Sequence, residues 1–255
     1  MLNIEKTHPW VASLALSAIA EYDTKSEING ALVEAFGLPK VLRFVETKKD
    51  LMFTAHYGDT LYAAVSGTRN TRGWLRNLNY FPRGGWHRGF VDSAKDCFPP
   101  LLDSWTCAGS GTKTVIIGHS AGHAIGLRLA YDLSRLTSKV EHFGFCGPQA
   151  VNKEGREQLR KQKLHSTSIT IGKQDQVDDI AKLVGGVDYS TTITLPSDGK
   201  PGLCKLPLID RFFWGHAPSY VWRCMIRYFS YARISEEDRV KILADCEYLR
   251  RFCKK

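Results

Sequence analysis

Residues 114–124 read TVIIGHSAGHA, and this stretch decides the fold. A β-branched, apolar run, Val115-Ile116-Ile117, stops at Gly118. Ser120 follows, flanked two residues on either side by Gly118 and Gly122, and an amphipathic stretch then runs over 121–136. The pattern predicts a buried parallel strand, a sharp turn carrying a serine, and a helix with Ile125, Leu127, Leu129, Ala130 and Leu133 on its apolar stripe. A serine in such a nucleophile elbow is forced into a strained backbone. Strand and helix then pass so close that only glycine or another small residue fits two before and two after it. The G-x-S-x-G letters alone are a common accident; the strand before them and the helix after them give the pattern its meaning.

At 255 residues, with 43% hydrophobic and 24% charged residues, the chain is large enough to bury a substantial core. We expect a single α/β domain over 1–255, with 221–255 as a C-terminal helical extension. No internal repeat is visible, and no apolar run approaches the roughly 20 residues that span a bilayer. Residues 10–20 are apolar and end in Ala18-Ile19-Ala20, which resembles a signal-peptide cleavage site. Residues 1–9, however, set Glu5 against Lys6 and lack a positive n-region, while Pro9 suits the first turn of a helix. The expectation is therefore a cytoplasmic chain, with export by a dedicated secretion system left open.

The seven cysteines are scattered, with no CxxC pair and no His/Cys cluster at zinc spacing, and read as reduced, mostly buried thiols. The net charge of +9 is unevenly placed. Residues 60–91 contain no acid, and Arg69, Arg72, Arg76, Arg83 and Arg88 are interleaved there with Trp74, Tyr80, Phe81 and Trp86. Residues 211–233 are again acid-free, with four arginines and eight aromatics. Such segments suit an anionic membrane surface, and read equally as a solvated basic face over core aromatics. No nucleic-acid recognition motif accompanies the charge, so no nucleic-acid partner is expected.

Apolar spacing predicts helices over 9–21 and 27–36, then strands over 41–46, 51–57 and 61–65 whose tight links make them antiparallel. A helix over 89–105 is expected to break or kink at Pro99-Pro100. The loop 108–114, AGSGTKT, has some letters of a phosphate loop. It lacks glycine directly before its lysine and leads into a strand, so nucleotide binding is rejected. Beyond the elbow come strands over 140–146, 168–171 and 191–195, a polar helix over 153–163, and two closing helices, the last capped by Ser235 with Asp238 three residues on.

A serine hydroxyl needs an imidazole to take its proton and an acid to orient that imidazole. In elbow enzymes these follow in the order Ser, Asp or Glu, His. His123 lies on the elbow helix, His142 lies inside a strand and His165 precedes one, which leaves His216, between Gly215 and Pro218. Asp175, Asp178, Asp179 and Asp188 all lie between the serine and that histidine. Asp175, just past the end of a strand, is preferred, and Asp178 and Asp179 read as helix-start acids. Oxyanion donors are expected from the N–H of Ala121, directly after the nucleophile, and from Thr68, after the strand over 61–65.

With these residues in place, the chain resembles the class 3, or fungal-type, lipase family from about residue 61 to 220. Ser66-Gly67-Thr68 followed by Trp74 is similar to the family's oxyanion segment and lid. His87-Arg88-Gly89-Phe90 matches its His-x-Gly-Phe, and Gly118-His119-Ser120-Ala121-Gly122 its elbow. Residues 145–152, FCGPQAVN, are similar to its Phe-Gly-x-Pro-Arg-Val-Gly-Asn. Asp175-Gln176-Val177 and residues 216–220, HAPSY, fall where it has Asp-x-Val and His-x-x-Tyr. The departures are Ser66 and Gln149 in place of arginines, His123 in place of a glycine, and a short 70–86 segment.

The resemblance implies an α/β hydrolase fold, a mixed, mostly parallel central sheet flanked by helices. It also implies a Ser120, Asp175, His216 triad with oxyanion donors at Thr68 and Ala121. The expected activity is cofactor-free hydrolysis of lipid acyl esters, lipase or phospholipase A1 in type, with residues 70–86 as a basic, aromatic flap. The alternatives are an esterase or thioesterase for small soluble substrates and a non-catalytic scaffold that binds lipid or protein. Head group, acyl length and oligomeric state are not encoded in any of these motifs.

Overall fold

The apolar run at 115–117 becomes the middle of a central strand, β6 (Lys113–His119), covered on both faces. The computed structural model describes residues 1–37, 41–47, 50–67, 82–171, 186–187, 189–195 and 218–253. In chain order its other elements are α1 (Pro9–Ile19), α2 (Lys25–Phe36), β1 (Val41–Glu46), β2 (Leu51–Tyr57), β3 (Thr60–Val65), β4 (Pro82–Arg83), β5 (Trp86–His87) and α3 (Arg88–Ala108). After β6 follow α4 (Ala121–Ser134), β7 (Val140–Phe145), α5 (Lys153–Gln162), β8 (His165–Ile171), β9 (Thr191–Leu195), α6 (Pro218–Tyr231) and α7 (Glu236–Leu249).

Among the described residues the main sheet has seven strands in the order β1-β2-β3-β6-β7-β8-β9. The first three pair antiparallel through tight turns, and β3, β6, β7, β8 and β9 pair parallel, so the sheet is mixed and mostly parallel. Alternation along each strand sorts side chains between two cores. Phe53, Ala55, Tyr62, Ala64, Val115 and Ile117 point into one with α1, α2, α6 and α7. Met52, Leu61, Ala63, Val65 and Ile116 point into the other with α3 and α4. The parallel register aligns the carboxyl ends: Val65 pairs with Gly118, His119 with Phe145, and Phe145 with Ile169. At that edge an open α/β sheet gathers its ligands.

Three local expectations are corrected. The first concerns α3, which runs through Pro99 and Pro100 without a break. The carbonyls that the two prolines cannot pair belong to Lys95 and Asp96, both exposed residues on the solvent side of the helix, where water can take the place of the missing N–H. Second, α2 starts two residues early, because Thr24 caps it in a capping box with Glu27. Third, Gly84 and Gly85, at φ 57° and 84°, close a short hairpin, β4–β5, that the sequence reading omits.

That hairpin buries Trp86, whose Nε1–H donates to Gln158 Oε1 at 2.9 Å and whose ring lies 4.8 Å from the Arg128 guanidinium carbon. Arg128 is itself held in a two-pronged contact with Asp132. Trp86 is thus a core residue and not part of a lipid-facing flap. Residues 82–85 of that flap form the hairpin, and residues 70–81 lie outside the described residues.

Candidate active site

Ser120 sits at the carboxyl end of β6 with φ 54° and ψ −127°, a positive-φ backbone conformation that L-residues rarely adopt. Such a residue costs roughly 1–3 kcal/mol and persists only where its surroundings enforce it. Here the enforcement is visible. The Ser120 N–H donates to the Phe145 carbonyl at 2.9 Å, and its carbonyl accepts from the His123 N–H at 3.0 Å. The hydroxyl does not cap α4, the role a serine at this position would ordinarily take, and the residue is half-buried. Ala121 opens the helix, so its N–H is one of the terminal amides that have no acceptor within the helix.

The flanking glycines are required by backbone proximity. A Cβ on Gly118 would lie 2.5 Å from the His123 nitrogen and closer still to the Gly122 carbonyl. One on Gly122 would lie 2.6 Å from the Ser66 oxygen and closer still to that of Val65. Gly67, after β3, faces the serine: a Cβ there would meet Ser120 Cβ at 3.3 Å. The structure therefore brings Ser66-Gly67, Ser120-Ala121 and Cys146-Gly147 to one edge. Cys146 is a second strained position, at φ 46°, where the resembling family carries glycine.

The chain fold that carries this strained serine is similar to that of solved fungal lipases. The triacylglyceride lipase of Rhizomucor miehei matches with a TM-score of 0.61 at 20% identity, over 74% of this chain and 79% of that one. A lipase from Rhizopus microsporus var. chinensis matches at 0.54 and 18%, over 74% and 72%. A mutant form of MDLA from Penicillium cyclopium matches at 0.55 and 17%, over 80% and 91%. This chain has the α/β hydrolase fold. No family model matches the sequence, and no curated protein matches it.

Of the site residues expected from the sequence, Ser120 and Ala121 stand at the elbow, whereas Thr68, Asp175 and His216 lie outside the described residues. In sequence, Asp175 comes four residues after β8 ends and His216 two before α6 begins. Tyr220, from the His-x-x-Tyr segment, is buried on α6, as are Trp222 and Phe229, while Arg223, Arg227 and Arg233 are exposed. The described part of the second basic segment thus sets exposed arginines over buried Tyr220, Trp222 and Phe229, with Tyr231 exposed beside them. Among the described residues no cluster of His, Cys, Asp or Glu is gathered to hold a metal ion. Cys97, Cys146, Cys224 and Cys246 are buried, Cys107 is exposed, and burial pushes the Cys253 thiol up to about 12, which leaves it protonated and unreactive.

His123 occupies a place the resembling family gives to glycine, and its ring turns away from the mouth. It packs over β7, where a Cβ on Gly144 would lie 2.5 Å from its Cγ and one on Gly147 2.6 Å from the same atom. Glycines at 144 and 147 make the room that the larger side chain needs. The ring also meets His142 edge-on, with centroids 5.1 Å apart. His142 Nδ1 lies 2.8 Å from Ser166 Oγ, and that hydroxyl lies 2.5 Å from Ser190 Oγ.

This buried polar chain has a consequence for pH. Burial, reinforced by the neighbouring His123 ring, pushes the His142 pKa well below 6.5 and outweighs the opposing interaction with the His123 backbone. His142 is therefore neutral in the fold, whereas in the unfolded chain it takes up a proton below about pH 6.5. Stability is complete above that pH and falls as the pH drops below it, by up to about 1.4 kcal/mol per pH unit from this residue. Burial also lowers the His8 pKa, which adds to the effect in the same sense. Urea unfolding at pH 7.5, 6.5 and 5.5 should show this decline, and a His142→Gln variant should flatten it.

Proposed function

We propose that this chain is a serine carboxyl-ester hydrolase of the class 3 lipase type, acting on lipid acyl esters. The observation that carries the reading is Ser120, held at φ 54° between two glycines that permit no Cβ, with its hydroxyl unused as a helix cap. Fold likeness adds to it: one similar solved structure is a triacylglycerol lipase whose catalytic centre is a serine protease triad. In our reading Ser120 Oγ attacks the ester carbonyl while His216 takes its proton, and Asp175 holds the imidazole in the required tautomer. His216 then protonates the leaving alcohol, and water cleaves the acyl-enzyme by the reverse path.

The oxyanion of each tetrahedral intermediate needs donors, and the Ala121 N–H at the start of α4 supplies one. The Gly67 N–H is already bonded to the Glu21 carboxylate, at 2.6 Å. That leaves Thr68, next in the chain, as the donor from the β3 end. No cofactor enters this scheme. Phospholipase A1 activity, and attraction of the exposed Arg223 and Arg227 to anionic lipid, belong to the same proposal.

Short- and long-chain p-nitrophenyl esters, together with phosphatidylcholine and phosphatidylglycerol vesicles, test this reading. Turnover of long-chain esters and vesicle lipid above that of short-chain esters is the expected result. A preference for short soluble esters would indicate an esterase instead, and complete inertness would indicate a binding scaffold.

A further inference from the structure

Glu21 lies two residues past the end of α1, just beyond the Ala20 cap, where the helix dipole disfavours a carboxylate. It is nonetheless largely buried, with a side chain 23% exposed. Its Oε1 accepts a short hydrogen bond, 2.6 Å, from the Gly67 N–H and lies 3.9 Å from His119 Nδ1. Gly67 is the residue that faces the nucleophile. A Cβ built on it would lie 3.1 Å from Glu21 Oε1, 3.3 Å from Ser120 Cβ and 3.4 Å from the His119 carbonyl. One carboxylate therefore touches the strand end that leads to Thr68 and the residue before Ser120, and 46 positions of sequence separate it from Gly67.

We infer that Glu21 is a positioning residue for the esterase reaction, tying Gly67 at the β3 end to the elbow so that the chain leaves the sheet for the oxyanion segment from a fixed point beside Ser120. The inference rests on the catalytic reading given above. Physically, a glycine at the end of a strand has a wide choice of backbone conformations, and an oxyanion hole works only if its donors are fixed before charge develops. A hydrogen bond to a carboxylate is roughly twice as strong as one between neutral groups, which suits it to remove that freedom. Because its Oε1 is engaged by the Gly67 N–H and lies beside His119, the carboxylate acts on the backbone that frames the nucleophile. An amide oxygen at the same place can accept the same bond in a weaker, neutral form, so Glu21→Gln keeps the tether that Glu21→Ala loses.

The test compares wild type, Glu21→Ala and Glu21→Gln for kcat and KM on a soluble p-nitrophenyl ester. It adds affinity for an alkylboronic acid, whose anionic serine adduct resembles the tetrahedral intermediate, active-site titration with a phosphonate, and Tm. In Glu21→Ala, kcat should fall roughly 10- to 100-fold with KM within about twofold, and boronate affinity should fall in proportion. Glu21→Gln should recover both to within about threefold of wild type. Wild-type kcat and boronate affinity in Glu21→Ala would overturn the inference, as would a Gln variant as impaired as Ala. So would a loss explained wholly by fewer titratable sites at unchanged turnover per site, which is the mark of misfolding. A wild-type chain that neither hydrolyses the ester nor binds the boronate would overturn the catalytic reading itself, and this inference with it.

Discussion

Ser120→Ala should lose essentially all ester turnover, on the order of a million-fold in kcat if the serine acts as one unit with His216 and Asp175. The expectation rests on the mechanism and not on folding. Alanine removes the one atom that attacks the carbonyl, leaves the Phe145 and His123 backbone bonds to residue 120 in place, and demands the same positive φ. The variant should fold, keep a Tm within a few degrees of wild type, and bind a non-hydrolysable ether lipid as wild type does. Turnover should be measured at high enzyme concentration, so that the residual rate is read against buffer.

The second large effect is structural. Gly122→Ala would place a methyl group where the Ser66 and Val65 carbonyl oxygens already lie, and Gly118→Ala would place one against the Gly122 carbonyl and the His123 nitrogen. All four obstructing groups are backbone, held by the sheet and the helix, and no side-chain rotation relieves the overlap. Each substitution should cost more than about 4 kcal/mol, a large share of the roughly 5–15 kcal/mol that stabilises an ordinary domain. Both variants should be unfolded or insoluble at 25 °C. Gly30→Ala is the control: Gly30 lies within α2 with no atom within 4 Å of the new methyl group. It should stabilise the chain by about 0.5–1 kcal/mol in urea unfolding.

The elbow is readable in the sequence because everything it needs is local. The β-branched strand, the two glycines and the helical stripe lie within a couple of dozen consecutive residues, and backbone proximity leaves no other residue type at 118 and 122. The same locality makes the antiparallel start of the sheet legible through its tight turns, and the last helix through Ser235, whose side chain accepts from the Asp238 N–H. Two further local signals are present in the sequence: Thr24 with Glu27 three residues on marks the true start of α2, and Gly84-Gly85 marks a two-residue hairpin turn. Pro99-Pro100 misleads because the prolines cost only hydrogen bonds to carbonyls that water reaches.

What is not legible is long-range. Nothing near Glu21 in the sequence points to Gly67, and nothing near His123 announces that Gly144 and Gly147 make room for its ring. Trp86 reads as a surface aromatic because its neighbours in sequence are basic. Its true partners, Arg128, Val151 and Gln158, come from α4, from an isolated bridge and from α5. A resemblance of ordered short motifs supplies Asp175 and Thr68 more firmly than spacing does, since several aspartates satisfy the chain order equally.

The account depends on a single hydroxyl activated by two side chains distant in sequence, and the rate of its reaction with a fluorophosphonate reads that activation directly. Labelling should place one adduct on Ser120, mapped by peptide mass, and should slow by roughly a thousand-fold or more in His216→Ala and Asp175→Asn variants that retain the wild-type Tm. An adduct that forms on another residue, no adduct at all, or equal labelling rates in wild type and His216→Ala would contradict the account.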